Sequence, residues 1–147
     1  VLTVVAGVLA LLCLGGVATA LIWYNRASTP DRSAPDVVVD NYLRAFLVDR
    51  NDVRADLFTC ESQADLQAVR DLRSEIEQRE SKFGVAVRVS WGQLIRTPSS
   101  EGESVGTTLT ISGSAEGVVR SSRREDWTFS VVEGDDGWRI CGGTQAS

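Results

Sequence analysis

Val1 to Tyr24 is an unbroken uncharged run, and the first charge in the chain is Arg26. A helix of that length rises roughly 1.5 Å per residue and crosses a hydrocarbon core of about 30 Å with some tilt. Trp23 and Tyr24 close the run just before Arg26, the order expected where a helix leaves lipid tails for headgroups. A soluble domain of ordinary size has no use for a helix that is apolar on every face. The run therefore predicts a transmembrane helix over 1–24 that acts as a signal-anchor. Ala18-Thr19-Ala20 also fits a small-x-small processing site, so cleavage after Ala20 stays open, although Leu21, Ile22 and Trp23 prolong the apolar stretch. Cys13 follows Leu12, where a lipidation signal wants a small residue. Gly16 and Ala20 have the small-xxx-small spacing that lets two helices approach, and such a pair is also ordinary in a Gly/Ala-rich span. There is no methionine, which leaves open residues upstream of Val1.

All 15 basic and 20 acidic residues follow this run, so the net charge of −5 belongs to the polar part. That balance excludes a nucleic-acid binder working by basic charge. The absence of histidine excludes imidazole catalysis and histidine-based metal sites. No phosphate-binding glycine motif and no zinc spacing is present, so neither cofactor nor metal is expected. The remaining 122 or so residues suffice for about one domain.

Residues 25–34 are small and polar and read as a linker. Ser33 with Asp36 has capping-box spacing, and Pro35 suits a first helical turn. A helix is expected from there to about Asp49, with Val39, Tyr42, Leu43, Phe46 and Leu47 as its apolar face. Val53 and Leu57-Phe58 suggest a short second helix. Ser62 with Asp65 makes another capping box, ahead of a long helix to about Lys82 whose stripe is Leu66, Val69, Leu72 and Ile76. Gly84 then stops it.

From Val85 the period changes to 2. Val85, Val87, Val89 and Trp91 form a first strand. After a polar loop containing Pro98, a second run places Val105, Leu109, Ile111, Ala115 and Val119 on one face, with Gly113 and Gly117 as bends or a bulge. A third strand carries Trp127, Phe129 and Val131. Glu133 to Gly137 is a turn, and a last strand carries Trp138 and Ile140. The expected fold class is α+β: three helices packed on a curved four-stranded antiparallel sheet.

That order of elements, the Asp-Asp-Gly-Trp-Arg-Ile-Cys ending at 135–141 and the cysteine ahead of the long helix resemble the nuclear transport factor two-like superfamily. The resemblance covers 35–143, leaving 144–147 as a tail. It implies a cone-shaped domain in a membrane-anchored bacterial envelope protein. The superfamily hosts enzymes, adaptors and secretion-machine subunits, so the fold alone assigns no task.

Outside the apolar run there are two cysteines, Cys60 and Cys141. In an exported domain they suggest a disulfide closing a loop of about 80 residues; in a cytosolic one they are free thiols. Cys141 shares strand parity with Arg139 rather than with Trp138 and Ile140, so a bridge requires a bulge or a position at the sheet's end. A candidate pocket takes Tyr42, Phe46, Trp91, Trp127, Phe129 and Trp138. Tyr42 stands about where an isomerase resembling ketosteroid isomerase places an oxyanion-holding tyrosine. Asp49, Asp52 and Asp56 read as exposed, and no inward strand position is acidic, so a core aromatic is the stronger reading. Arg120, Arg123 and Arg124 form a basic cluster at a hairpin, self-neutralised by Glu125 and Asp126. Asp135-Asp136 lacks the further oxygen ligands of a calcium loop.

These residues point to a non-catalytic extracytoplasmic binding or interaction module, tethered by a single span and facing a partner protein or a lipophilic ligand. A structural subunit of an envelope or secretion machine and an isomerase or cyclase using Tyr42 are the other readings. A homodimer is one option for assembly. Arg26 and Arg32 on the C-terminal side of the span oppose export by the positive-inside tendency, whereas the two cysteines favour an oxidising compartment.

Overall fold

The computed structural model describes residues 29–61 and 64–146. The apolar run, and with it the expected transmembrane helix over 1–24, lies outside them. Among the described residues no helix is long and apolar enough to cross a membrane. Asp31 onward forms one compact unit.

Helix α1 runs Pro35–Leu43 and continues as a π-helical turn over Arg44–Val48. Pro35 sits in the first turn, where its missing N–H costs nothing. The expected capping box at Ser33 does not form. Ala34 is the N-cap, and the Ser33 hydroxyl and N–H both donate to Asp31 Oδ1, at 2.7 and 3.1 Å. Ser33 is instead held in an Asx-type turn, donating to the carboxylate two residues upstream. Helix α2 is the short Asp52–Asp56 element, capped by Asn51, whose side chain accepts the Arg54 N–H at 3.0 Å.

Helix α3 spans Gln67–Phe83 and buries Val69, Leu72 and Ile76, with Leu66 just ahead of it. Ser62 of the expected Ser62/Asp65 capping box lies outside the described residues. Leu66 is the N-cap, and its apolar side chain offers no cap, while the backbone of Asp65 forms a parallel bridge with Gly142. Gly84 ends the helix in the left-handed conformation, φ 61°, and returns its N–H to the Glu80 carbonyl at 2.9 Å.

The sheet has five strands rather than four: β1 Ala86–Trp91, β2 Ile95–Ser99, β3 Gly102–Ala115, β4 Val118–Gly134 and β5 Gly137–Gln145. Its order is β1-β3-β4-β5, with β2 pairing the other end of β3 on the β1 side. The stretch around Pro98, expected as a loop, is thus an edge strand. All five of its residues are exposed, so it shows no alternation, and an edge tolerates proline. The expected single run from Val105 to Val119 is two strands. Glu116 and Gly117, at φ 52° and 78°, turn the chain, and Val119 is exposed at the start of β4. Gly113 does mark a bulge, whereas Gly117 is the turn itself. Arg120, Arg123 and Arg124 accordingly lie along β4 and not on a loop.

One face of the sheet carries Val89, Val105, Leu109, Ile111, Trp127, Phe129, Val131 and Ile140, all buried. It packs against Val38, Val39, Tyr42 and Leu43 of α1 and the stripe of α3. The opposite face is rich in hydroxyls: Thr108 donates to Asp126, and the hydroxyls of Ser112 and Ser122 pair at 3.3 Å.

The two edges differ. Residues 58–61 and 64–65 lie along β5 through four backbone hydrogen bonds, each 2.9 Å, that join Phe58, Cys60 and Asp65 to Ile140, Cys141 and Gly143. Between Ser130 and Val131 the register shifts by one, so Cys141 is the extra residue of a bulge. The bulge removes the parity obstacle, and Cys141 forms a disulfide with Cys60, Cα–Cα 5.1 Å.

Candidate functional site

The cone interior is filled with side chains. Phe129 is fully buried, Trp127 stacks on it at 6.3 Å between ring centroids, and Gly143 admits the Phe129 ring because it has no Cβ. The six residues of the candidate pocket fall in four places, Trp127 with Phe129, Tyr42 with Phe46, and Trp91 and Trp138 each apart. Trp127 and Phe129 are core. Trp138, half-buried, opens β5 and donates its backbone N–H to the Arg32 carbonyl at 3.0 Å. Beside it Arg32 pairs with Asp136 at 2.5 Å, and Arg139 pairs with the same carboxylate at 2.7 Å. These two guanidiniums hold Asp136 down at about 2.

Tyr42 and Phe46 are brought together, stacked at 5.5 Å with planes 7° apart. They line a surface hollow of about 500 Å³ with Asp56, Glu61 and Arg70. Burial pushes the Tyr42 phenol up, while Arg70 acts to lower it and Asp56 to raise it. Asp52 is engaged by Arg73, whose guanidinium also lies over the Phe46 ring at 4.7 Å. What is assembled at Tyr42 is an aromatic pair flanked by the Arg73–Asp52 ion pair.

Trp91 belongs to a different place, a groove between α1 with its π turn and strand β1. Its indole N–H donates to Asp40 Oδ1 at 2.8 Å, and the Arg44 guanidinium stands 5.9 Å from its ring centroid. The groove consists of two adjoining hollows of about 500 and 530 Å³ that share Val48, Arg88 and Val89. The π turn shapes one wall. An extra residue per turn carries the Asp49 N–H back to the Arg44 carbonyl at 2.9 Å. Val48 at its end is 51% exposed, a large apolar side chain left on the surface.

At one end of the groove Glu80 accepts the Val87 N–H at 3.0 Å and pairs with Arg50 at 2.7 Å. Arg50 is in the left-handed region, φ 52°, a conformation that costs roughly 1 kcal/mol in a non-glycine residue. The Arg50 hydrogen bond holds the Glu80 carboxyl below the usual carboxylate range, against the opposing effect of burial. Asp40, Arg44, Val48 and Arg88 were not singled out by sequence reasoning. The available signal was topological: the first strand of a meander has a neighbour on one side only.

Among the described residues no cluster of three or more acidic or cysteine side chains could hold a metal. No family model matches the chain, and no characterised protein sequence does. Among solved structures it is similar to Aln2 from a Streptomyces species, at 12% identity and a TM-score of 0.52 over 78% of this chain and 93% of that one. A putative calcium/calmodulin-dependent protein kinase type II association domain from Thiobacillus denitrificans aligns at 14% identity and TM-score 0.48, covering 79% of this chain and 96% of its own. The intermembrane space region of the chloroplast protein ARC6 aligns at 15% and 0.43, covering 80% and 97%. At 12% identity the likeness to Aln2 is one of fold: α+β with a curved antiparallel sheet.

Proposed function

We infer that the chain is a non-catalytic binding or interaction module, held at the cell membrane by its N-terminal apolar run with the cone domain outside the cytoplasm. The observation that carries this reading is the filled interior. Phe129, Leu109 and Ile140 are fully enclosed, so recognition falls to surface grooves rather than to a ligand cavity. The Cys60–Cys141 bridge supports an oxidising compartment. The groove along β1 supports a macromolecular partner, because it is elongated, open to solvent and edged by an exposed valine and arginines.

The test is a photo-crosslinking residue placed at Val48 of the full chain in intact cells, with the same residue at Thr110 on the hydroxyl face as control. A discrete adduct at Val48 and none at Thr110 is expected. No adduct at Val48 would overturn the groove as the working surface. Membrane-impermeant thiol labelling of Cys60 and Cys141 only after reduction is expected for an exported domain; labelling only after lysis, without reductant, would place it in the cytoplasm.

A further inference from the structure

We propose that the free edge of β1 accepts an extended acidic segment of a partner protein as an added strand. This rests on the interaction-module reading and specifies its ligand. The β1–β3 ladder continues past Trp91, where the Gly92 N–H donates to the Thr108 carbonyl at 3.2 Å. Antiparallel pairs alternate, so the even residues of β1 face β3, and Val87, Val89 and Trp91 turn their N–H and C=O groups to the free side. The Val87 N–H is consistent with that direction, since it donates to Glu80. The N–H and C=O groups of Val89 and Trp91 meet no partner among the described residues. Two residues of open ladder therefore border the groove.

The chain covers its other sheet edge. Backbone hydrogen bonds from Phe58, Cys60 and Asp65, with a disulfide, close β5, and β2 carries Pro98 on a short, polar strand. These are the usual ways of blunting an edge. At Val89 and Trp91 the edge is left open, and Glu80 limits it at Val87.

Side-chain alternation and charge define the occupant. On the helix side an added strand meets Val48, Trp91 and Leu94, which asks for apolar residues. On the outer face it meets Ser90 and Arg88, which are exposed, and Arg88 has no acidic partner among the described residues. Arg44 lies on the helix side, where it pairs with Asp40 at 3.4 Å and stands over the Trp91 ring, so among the described residues the unpaired cation at the groove is Arg88. On a chain of net charge −5 that lone cation on the outer face complements a segment that alternates acidic and apolar residues. A second copy fits less well. Two β1 strands paired about Val89 bring the two Arg88 side chains to diagonal positions, about 7–8 Å apart, where like charges repel.

The test uses the full chain in detergent micelles and a blocked heptapeptide alternating Glu and Val. Amide exchange at Val89 and Trp91 should slow severalfold with increasing peptide, while exchange at Ile140 stays unchanged. An alternating Lys/Val peptide, and the Glu/Val peptide N-methylated at alternate residues to block the ladder, should leave both amides fast. Arg88→Glu should weaken the Glu/Val peptide at least tenfold and admit the Lys/Val one. Equal protection by the N-methylated peptide, or unchanged exchange with the Glu/Val peptide, overturns strand addition. Protection that grows with protein concentration without peptide assigns the edge to a second copy and overturns it too. A Val48 adduct in cells combined with failure of the peptide leaves the interaction module standing and removes only the acidic strand.

Discussion

Removing the cross-link between Cys60 and Cys141 should cost most of the stability that one bond can supply. The residues are 81 apart in sequence. A closed loop of that length lowers the entropy of the unfolded chain by roughly 15 cal/mol/K, or about 4.5 kcal/mol at room temperature. Little of that should be lost from native contacts. The segment carrying Cys60 stays on β5 through four backbone hydrogen bonds that do not need the sulfurs. The loss should therefore appear as global destabilisation, discounted to about 2–4.5 kcal/mol for residual structure in the unfolded state. With a urea dependence of roughly 2 kcal/mol/M for a small domain, the midpoint should fall by about 1–2 M. Urea titration of the full chain in micelles, oxidised against reduced and against the Cys60→Ala/Cys141→Ala double variant, measures it. A midpoint shift below about 0.5 M, with faster amide exchange confined to 58–65, would refute the argument. The bond would then be a local clip on the β5 edge and not a constraint on the whole chain.

Gly143→Ala should destabilise by about 1–3 kcal/mol, because an added Cβ would stand 2.9 Å from the Phe129 ring and 3.0 Å from Val69. Gly92→Ala, with nothing within 4 Å of its Cβ, should be near neutral, both read by urea titration. Phe129→Ala should lose about 3–5 kcal/mol as a core deletion, read by denaturant titration. Asp136 sits at about 2 in the folded chain, below the ordinary carboxylate value of about 3.9. Its stabilising contribution is therefore complete above about pH 4 and lost as pH falls toward about 2. Stability measured across that window should fall less steeply in Asp136→Asn, and an unchanged slope would show that its two arginine pairs carry no linkage. Asp40→Ala leaves the Trp91 indole N–H without its acceptor and should cost about 1–3 kcal/mol, with a change in tryptophan emission.

Local pattern alone determined a good deal of this protein. The stripe Leu66, Val69, Leu72, Ile76 is buried as the helical period requires, Gly84 ends that helix in the left-handed region, and Asp135-Asp136 turns the last hairpin. Each depends on neighbours within a few residues, which is where periodicity and turn chemistry act. The capping box at Ser33 failed within that same range. Its hydroxyl and N–H go to Asp31, ahead of the helix start that the spacing suggests. Pairing across the chain made a strand of the pattern-free residues around Pro98 and divided one apolar run at Glu116–Gly117. The candidate pocket dissolved because residues sharing a periodic face need not share a cavity: Trp127 and Phe129 filled the interior, while Trp91 went to the rim. The bulge at Cys141 and the open edge of β1 are likewise tertiary facts. Which carbonyl a backbone N–H meets is decided by the strand placed beside it, and that strand is distant in sequence.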